Sequence, residues 1–124
     1  MKLNLQKTKL MVFNTSTARD FDPQYEIENI MIQVVERTKL LGIHLTCDLK
    51  WQKHITEITK KAYSQIWILK RLSKLGASKE TLKDAYIKQV RSQLEYCAPL
   101  WHSSLTKSQS DQLERIQSVC MRVI

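Results

Sequence analysis

Glycine is nearly absent from this chain: Gly42 and Gly76 are the two in 124 residues. That scarcity excludes a phosphate-cradling loop of the P-loop or dinucleotide type, which needs several glycines within a few positions. It also leaves no glycine-rich turn for an oxyanion hole. His102, Ser103, Ser104 and Asp111 therefore hold the letters of a catalytic triad without its backbone, and read as a polar helix-to-helix connection. Cysteine is sparse too. Cys47, Cys97 and Cys120 are widely spaced with no Cys-x-x-Cys pair, which argues against a disulfide scaffold and a zinc ribbon. His44, His54 and His102 never fall at the i, i+4 spacing that puts two imidazoles on one helix face. The expectation is buried thiols, partly exposed histidines and no metal site. No stretch approaches the ~18 apolar residues of a membrane-spanning helix, and the apolar run in MKLNLQKTKLMVF is too short for a signal-peptide core. The expected setting is intracellular, in cytoplasm and/or nucleus, with no membrane partner.

What is present is charge, unevenly placed. Residues 1 to 49 hold six basic and six acidic residues, whereas residues 50 to 124 hold fourteen basic and six acidic, so the whole net charge of +8 lies in the second part. Net charge informs on partners rather than on fold, and this asymmetry marks the C-terminal part as the surface for a polyanion. Solvated lysines on ordinary helices are the competing explanation.

The period of the apolar residues changes at the same place. KLMVF (9–13) reads as a short strand ending in the turn-forming cluster Asn14-Thr15-Ser16-Thr17, and a loop with Asp20, Asp22 and Pro23 follows. Tyr25 to Ile27 and Ile30 to Gln33, broken at Glu28-Asn29, make a hairpin, and Thr38 to Leu45 makes a third strand with Gly42 inside it. Glycine weakens a strand interior, so Gly42 implies either a bulge or the close approach of another backbone. From Trp51 the spacing is helical: Trp51, Ile55, Ile58, Ala62, Ile66 and Leu69 share one face of a helix running to about Lys74, ~36 Å long, with Gly76 as its left-handed cap. Ser78 caps a second helix with Leu82, Ala85, Tyr86, Gln89, Val90 and Leu94 inward, which Pro99 ends near Cys97. Thr106-x-x-Gln109 is a capping box for a third, lined by Leu113, Ile116, Val119 and Cys120. That helix reads as cut off at Ile124. The expected class is α+β: a small antiparallel sheet or hairpin (about 9–45), then a three-helix lobe (about 51–74, 79–97, 107–122), with the division near residue 49/50.

Chemistry is harder to find. Asp20-x-Asp22 is spaced like a metal-holding carboxylate pair, but lies in a Pro-containing loop without a third carboxylate and reads as a turn. The first helix is richer: Lys50, Lys53, Lys60, Lys61, Lys70, Arg71 and Lys74 oppose only Glu57, with Trp51, Tyr63 and Trp67 among them. Lysines neutralise phosphates without reading sequence. Tyr63 and Trp67 suit either stacking on bases or ordinary packing, with packing the commoner use of that spacing.

A family resemblance joins these pieces. Leu3-Asn4-Leu5-x-Lys7-Thr8-Lys9-x-Met11-Val12-Phe13, Lys39-Leu40-Leu41-Gly42-Ile43-x-Leu45 and Leu49-x-Trp51-x-x-His54-Ile55 occur in that order. Leu69-Lys70-Arg71-Leu72, Leu94-Glu95-Tyr96-Cys97-Ala98-Pro99-Leu100-Trp101 and Gln112-Leu113-Glu114-x-x-Gln117 follow. Together they resemble the reverse transcriptase of non-LTR (LINE-type) retrotransposons, across essentially the whole chain. The resemblance implies the palm edge, primer grip and thumb of an RNA-directed DNA polymerase. Lys7 matches a palm lysine near the incoming triphosphate, and Leu41-Gly42 match the grip. Lys53, Lys60, Lys61, Lys70, Arg71 and Lys74 are expected on the thumb's nucleic-acid face from their charge pattern.

The departures limit this. Neither the Tyr/Phe-x-Asp-Asp turn nor the upstream aspartate of that family is in the chain, and two-metal phosphoryl transfer needs those carboxylates. The chain alone is therefore not expected to be an enzyme and carries no cofactor of its own, magnesium belonging to the parent polymerase. It reads as a fragment at both ends. Its expected partners are an RNA/DNA template-primer duplex and the missing palm and fingers of the same polyprotein. The alternatives are a domesticated helical protein-interaction domain, or a non-functional product of a degenerate element.

Overall fold

The computed structural model describes residues 4, 7–13 and 24–124, and the turn at 14–17 and the Asp20-x-Asp22 loop lie outside them. The chain divides into two compact units, Met1–Lys50 and Trp51–Ile124. The architecture is α+β, small two-stranded sheets followed by three principal helices.

Six short strands make three separate pairs rather than one sheet. β1 (Lys9–Leu10) pairs with β4 (Gln33–Val34), β2 (Glu26–Ile27) with β3 (Ile30–Met31), and β5 (Arg37–Leu40) with β6 (Ile43–Thr46). The β1–β4 pair is parallel, against the expectation of an antiparallel arrangement throughout. A parallel pair needs a connection longer than a hairpin turn, and the stretch from residue 11 to 32, which includes the β2–β3 hairpin, supplies it. Glu28 and Asn29, at φ 51° and 59°, form the two-residue loop of that hairpin. Two consecutive left-handed residues match the right-handed twist of the flanking strands.

Gly42 is not inside a strand. The register Leu40↔Ile43 and Lys39↔His44 closes β5 on β6 through the two residues Leu41 and Gly42, at φ 47° and 87°. The single strand expected over Thr38 to Leu45 is a hairpin, and Gly42 supplies the left-handed conformation at its tip. Neither a bulge nor a close approach is needed to explain it.

In the second unit, α1 (Gln52–Lys74) buries His54, Ile55, Ile58, Thr59, Ala62, Ile66 and Leu69. It ends as expected at Gly76. The Ala77 N–H donates to Leu72 O and the Gly76 N–H to Ser73 O, each at 3.1 Å, with Gly76 at φ 79°. That double bond pattern is a Schellman cap. The second helix starts at Ser78, whose Oγ accepts from the Thr81 N–H at 3.2 Å. It runs through α2 (Lys79–Ala85), a π-helical stretch (Tyr86–Arg91) and α3 (Ser92–Glu95). Leu82, Tyr86 and Val90 are buried as expected, but Gln89 is exposed: the inward row through the π-helical stretch passes from Tyr86 to Val90, four residues on. Cys97 at φ 52° ends this helix, and Pro99 sits in the first turn of a short helix, α4 (Ala98–Trp101), that the sequence pattern did not announce. A 3₁₀ turn (His102–Ser104) leads to α5 (Lys107–Met121), opened by the Thr106/Gln109 capping box with both reciprocal bonds made.

Burial differs sharply between the units. Ala62, Ile66, Leu69, Tyr86, Val90, Ile116 and Cys120 form one cluster where α1, the second helix and α5 meet. A second cluster is aromatic: the His54 ring lies edge-on to Trp51 at 6.1 Å and to Trp101 at 5.5 Å, and Trp101 Nε1 donates to Tyr96 O at 3.1 Å. His54 is thus buried, not partly exposed as expected, and it brings the Leu49–Ile55 and Leu94–Trp101 motifs together. Among the described residues before Trp51, only Ile32 and Ile43 are buried, while Tyr25, Ile30, Met31, Leu40 and Leu41 stand exposed. A fully buried aliphatic side chain contributes roughly 1.5–3 kcal/mol, against about 1–2 kcal/mol to order each residue's backbone. The helical unit has the side chains to offset that cost, and the strand pairs do not.

Candidate nucleic-acid interface

Helix α1 carries six cations, Lys53, Lys60, Lys61, Lys70, Arg71 and Lys74, and one carboxylate, Glu57. Elsewhere in the helical unit acidic residues nearly balance the basic ones, and two cations are paired directly. Lys88 Nζ meets Asp84 Oδ2 at 2.9 Å and Arg91 Nε meets Glu95 Oε1 at 2.7 Å, both one turn apart. Lys88 holds the Asp84 carboxyl below its ordinary value, and Glu95 raises the Arg91 guanidinium. On α1 only Lys53 is so paired, to Glu57 Oε1 at 2.9 Å. Among the described residues, Lys60, Lys61, Lys70 and Lys74 make no ion pair. This helix therefore carries +5 of the unit's net charge of +7.

Helical spacing sorts these cations. Lys60, Tyr63, Trp67, Lys70, Arg71 and Lys74 follow one another at steps of three, four, three, one and three, so they form a continuous exposed stripe. Lys53 extends it by two turns. Lys61 lies on the other flank, in the row with Glu57, Ser64 and Ile68, and does not join the rest. Arg71 and Lys74 also occupy the last turn, where cations suit the negative end of the helix dipole.

Tyr63 and Trp67 are 49 % and 61 % exposed, so the packing role is the wrong one for both. The core face of α1 is filled by aliphatic side chains, and the two rings fall outside it. Arg71 sets its Cζ 5.2 Å from the centroid of the Trp67 ring, a cation–π arrangement that holds ring and guanidinium together.

The other sequence-named positions belong to the strand unit. The Asn4 carbonyl accepts from the Lys7 N–H at 3.1 Å, the Thr8 N–H at 3.1 Å and the Thr8 hydroxyl at 2.9 Å, so Lys7 and Thr8 of the Asn-x-x-Lys-Thr motif bond back to Asn4 and Lys7 is exposed. Leu41 and Gly42 form the β5–β6 tip, with Leu41 81 % exposed. Past the same hairpin, Thr46 Oγ1 lies 2.6 Å from Asp48 Oδ1, which also accepts from the Lys50 N–H, and these bonds lower the Asp48 carboxyl below its ordinary value.

A cleft of about 710 Å³ opens in the helical unit, with Tyr86, Leu94, Pro99, Trp101 and Leu113 on its walls and the Arg91–Glu95 pair beside them. It brings no nucleophile against a base. Among the described residues, no group of three or more His, Cys, Asp or Glu is placed to hold a metal ion, and no helix is long and apolar enough to cross a membrane. No family model, curated protein or solved structure matches the chain.

Proposed function

We propose that this chain is the palm edge, primer grip and thumb of a reverse transcriptase of the non-LTR retrotransposon type, acting as a nucleic-acid-binding element rather than an enzyme by itself. The observation that carries the reading is the stripe on α1, a row of unpaired cations interleaved with two exposed aromatic rings. A packed helix has no need of either, whereas a nucleic acid offers phosphates to the cations and bases to the rings. The strand unit adds support: its exposed Tyr25, Met31 and Leu40 suit a β segment completed by further palm structure. On this reading Lys7 and the Leu41-Gly42 tip also contact template-primer, in an intracellular setting. The residues described do not fit the magnesium ions of the parent polymerase, since no carboxylate cluster is there to hold them. No step of nucleotide addition is assigned to this chain.

Binding to an RNA–DNA hybrid, titrated at rising salt, tests the proposal. Engagement of about four phosphates by the stripe predicts an affinity falling on the order of 100-fold between roughly 50 and 200 mM salt. A flat response, or no binding, overturns it.

The cleft, whose apolar Leu94, Pro99, Trp101 and Leu113 stand among the polar Arg91, Glu95, His102, Glu114 and Gln117, favours a second reading, a domesticated helical domain that docks a protein partner or a second copy. Association that rises with concentration and ignores added nucleic acid would select that reading over the first.

A further inference from the structure

Of the three tryptophans, Trp51 and Trp101 are 8 % and 1 % exposed, and Trp67 is 61 % exposed. Nothing in the helical core requires a ring at that position. Arg71 covers part of the Trp67 ring and fixes its orientation, leaving most of its surface open. Tyr63, one turn before, is also half exposed on the same stripe, and Lys60, Lys70 and Lys74 flank the two rings.

We propose that Trp67 is a stacking platform for an unpaired nucleobase, so that the α1 stripe takes a single strand, or the unpaired tail of a duplex, in preference to a blunt duplex. The proposal rests on the nucleic-acid reading above and moves the stripe's contact from the paired part of a template-primer to its unpaired strand. Three observations favour a strand with free bases. A duplex hides its base faces in its own stack, so Trp67 would meet only sugar and phosphate, a poor partner for an indole. Four residues of helix separate Tyr63 from Trp67 by roughly 6 Å along the axis, nearly twice the ~3.4 Å per nucleotide of a duplex strand. Successive bases reach both rings only from an unstacked, extended strand. The flanking cations then have phosphates of that same strand to neutralise, as in sequence-tolerant single-strand grooves. An acidic polypeptide would satisfy the lysines but offer no planar bases to the rings.

The full chain carries its own reporter, since Trp67 is the tryptophan that added ligand can reach. Oligo-deoxythymidine should quench the tryptophan emission, and a blunt duplex of equal charge should quench it little. Trp67→Ala should weaken binding of the single strand roughly 5- to 150-fold, leave the salt slope unchanged, and alter blunt-duplex affinity by less than about twofold, where only phosphate contacts count. Trp67→Phe, which keeps a ring, should recover part of the loss, and Tyr63→Ala should reproduce a smaller one. Equal or absent losses on both nucleic acids, with the salt slope intact, overturn the platform while the nucleic-acid reading stands. Loss of all salt-dependent binding in the unsubstituted chain overturns both. Equal binding of poly-glutamate with the same dependence on Trp67 overturns the platform in favour of an acidic protein partner.

Discussion

Gln109 Nε2 donates a hydrogen bond to Gln52 Oε1 at 3.2 Å, joining the first turn of α5 to the first turn of α1 across 57 positions of sequence. The same Gln109 side chain accepts from the Thr106 N–H at 2.9 Å, while its own N–H donates to Thr106 Oγ1 at 3.3 Å. One buried amide therefore closes a helix cap and fastens that cap to the helix bearing the basic stripe.

Gln109→Ala is accordingly expected to cost more than Gln52→Ala. The first loses a capping contact, worth about 0.5–2 kcal/mol, together with the inter-helix bond, and the second loses that bond, about 0.5–1.5 kcal/mol, with a long exposed one from Gln52 Nε2 to Thr56 Oγ1 at 3.4 Å. Urea unfolding followed by helical circular dichroism measures both. The double variant should be less destabilised than the two singles added together, because the pair shares one bond.

At the β5–β6 tip the signs should oppose. Gly42→Ala puts a side chain into a left-handed residue and should weaken the hairpin by about 1–2 kcal/mol. Leu41, non-glycine at φ 47°, already bears such a strain, so Leu41→Asn should strengthen the hairpin by up to about 1 kcal/mol. Amide hydrogen exchange at Ile43 to Thr46 reads this locally, where global unfolding would report mainly on the helices. Equal effects of one sign would refute the turn geometry.

That hairpin also shows where sequence reading stops. The three helices were legible because their signals are local: an apolar row every three or four residues in each, Gly76 at the end of the first, and Ser78 and Thr106 at the starts of the other two. Gly42 carried half of a turn signal, and Leu41, where asparagine or aspartate would be usual, hid the rest, so Leu40, Leu41, Ile43 and Leu45 read as one strand. The parallel β1–β4 pairing depends on where the chain returns, which no local pattern encodes. On the stripe, the lysines were visible by charge alone. The exposure of Tyr63 and Trp67 was not, because a ring at helical spacing suits a core as well as a surface, and only the filled aliphatic face of α1 decides between them.

Cys120 is fully buried among Ile66, Tyr86 and Ile116, and burial raises both its thiol, above the ordinary 9.0, and the Tyr86 phenol. Both groups are neutral in the fold, so their contribution to stability is complete below their ordinary values and declines as pH rises through the raised ones. Urea midpoints should hold steady from neutral pH to about 9 and fall above it, and Cys120→Ala should make the fall shallower. Thiol labelling gives an independent check: the half-buried Cys47 and Cys97 should react in the native protein, and Cys120 only on unfolding.

Lys60 and Lys61 allow a test in which net charge cannot confuse position. Adjacent on α1, they lie on opposite flanks, Lys60 in line with Tyr63, Trp67 and Lys74, and Lys61 in line with Glu57 and Ile68. Lys60→Gln and Lys61→Gln each remove one unit charge from the same exposed helix. If the stripe tracks a phosphate backbone, Lys60→Gln should lower the magnitude of the log–log salt slope by about 0.7–0.9, and Lys61→Gln should leave it nearly unchanged. Equal reductions would mean that the strand responds to the summed charge of the helix and not to the row. The interface would then be a diffuse cationic surface, and the alignment of cations with the two rings would have no part in binding.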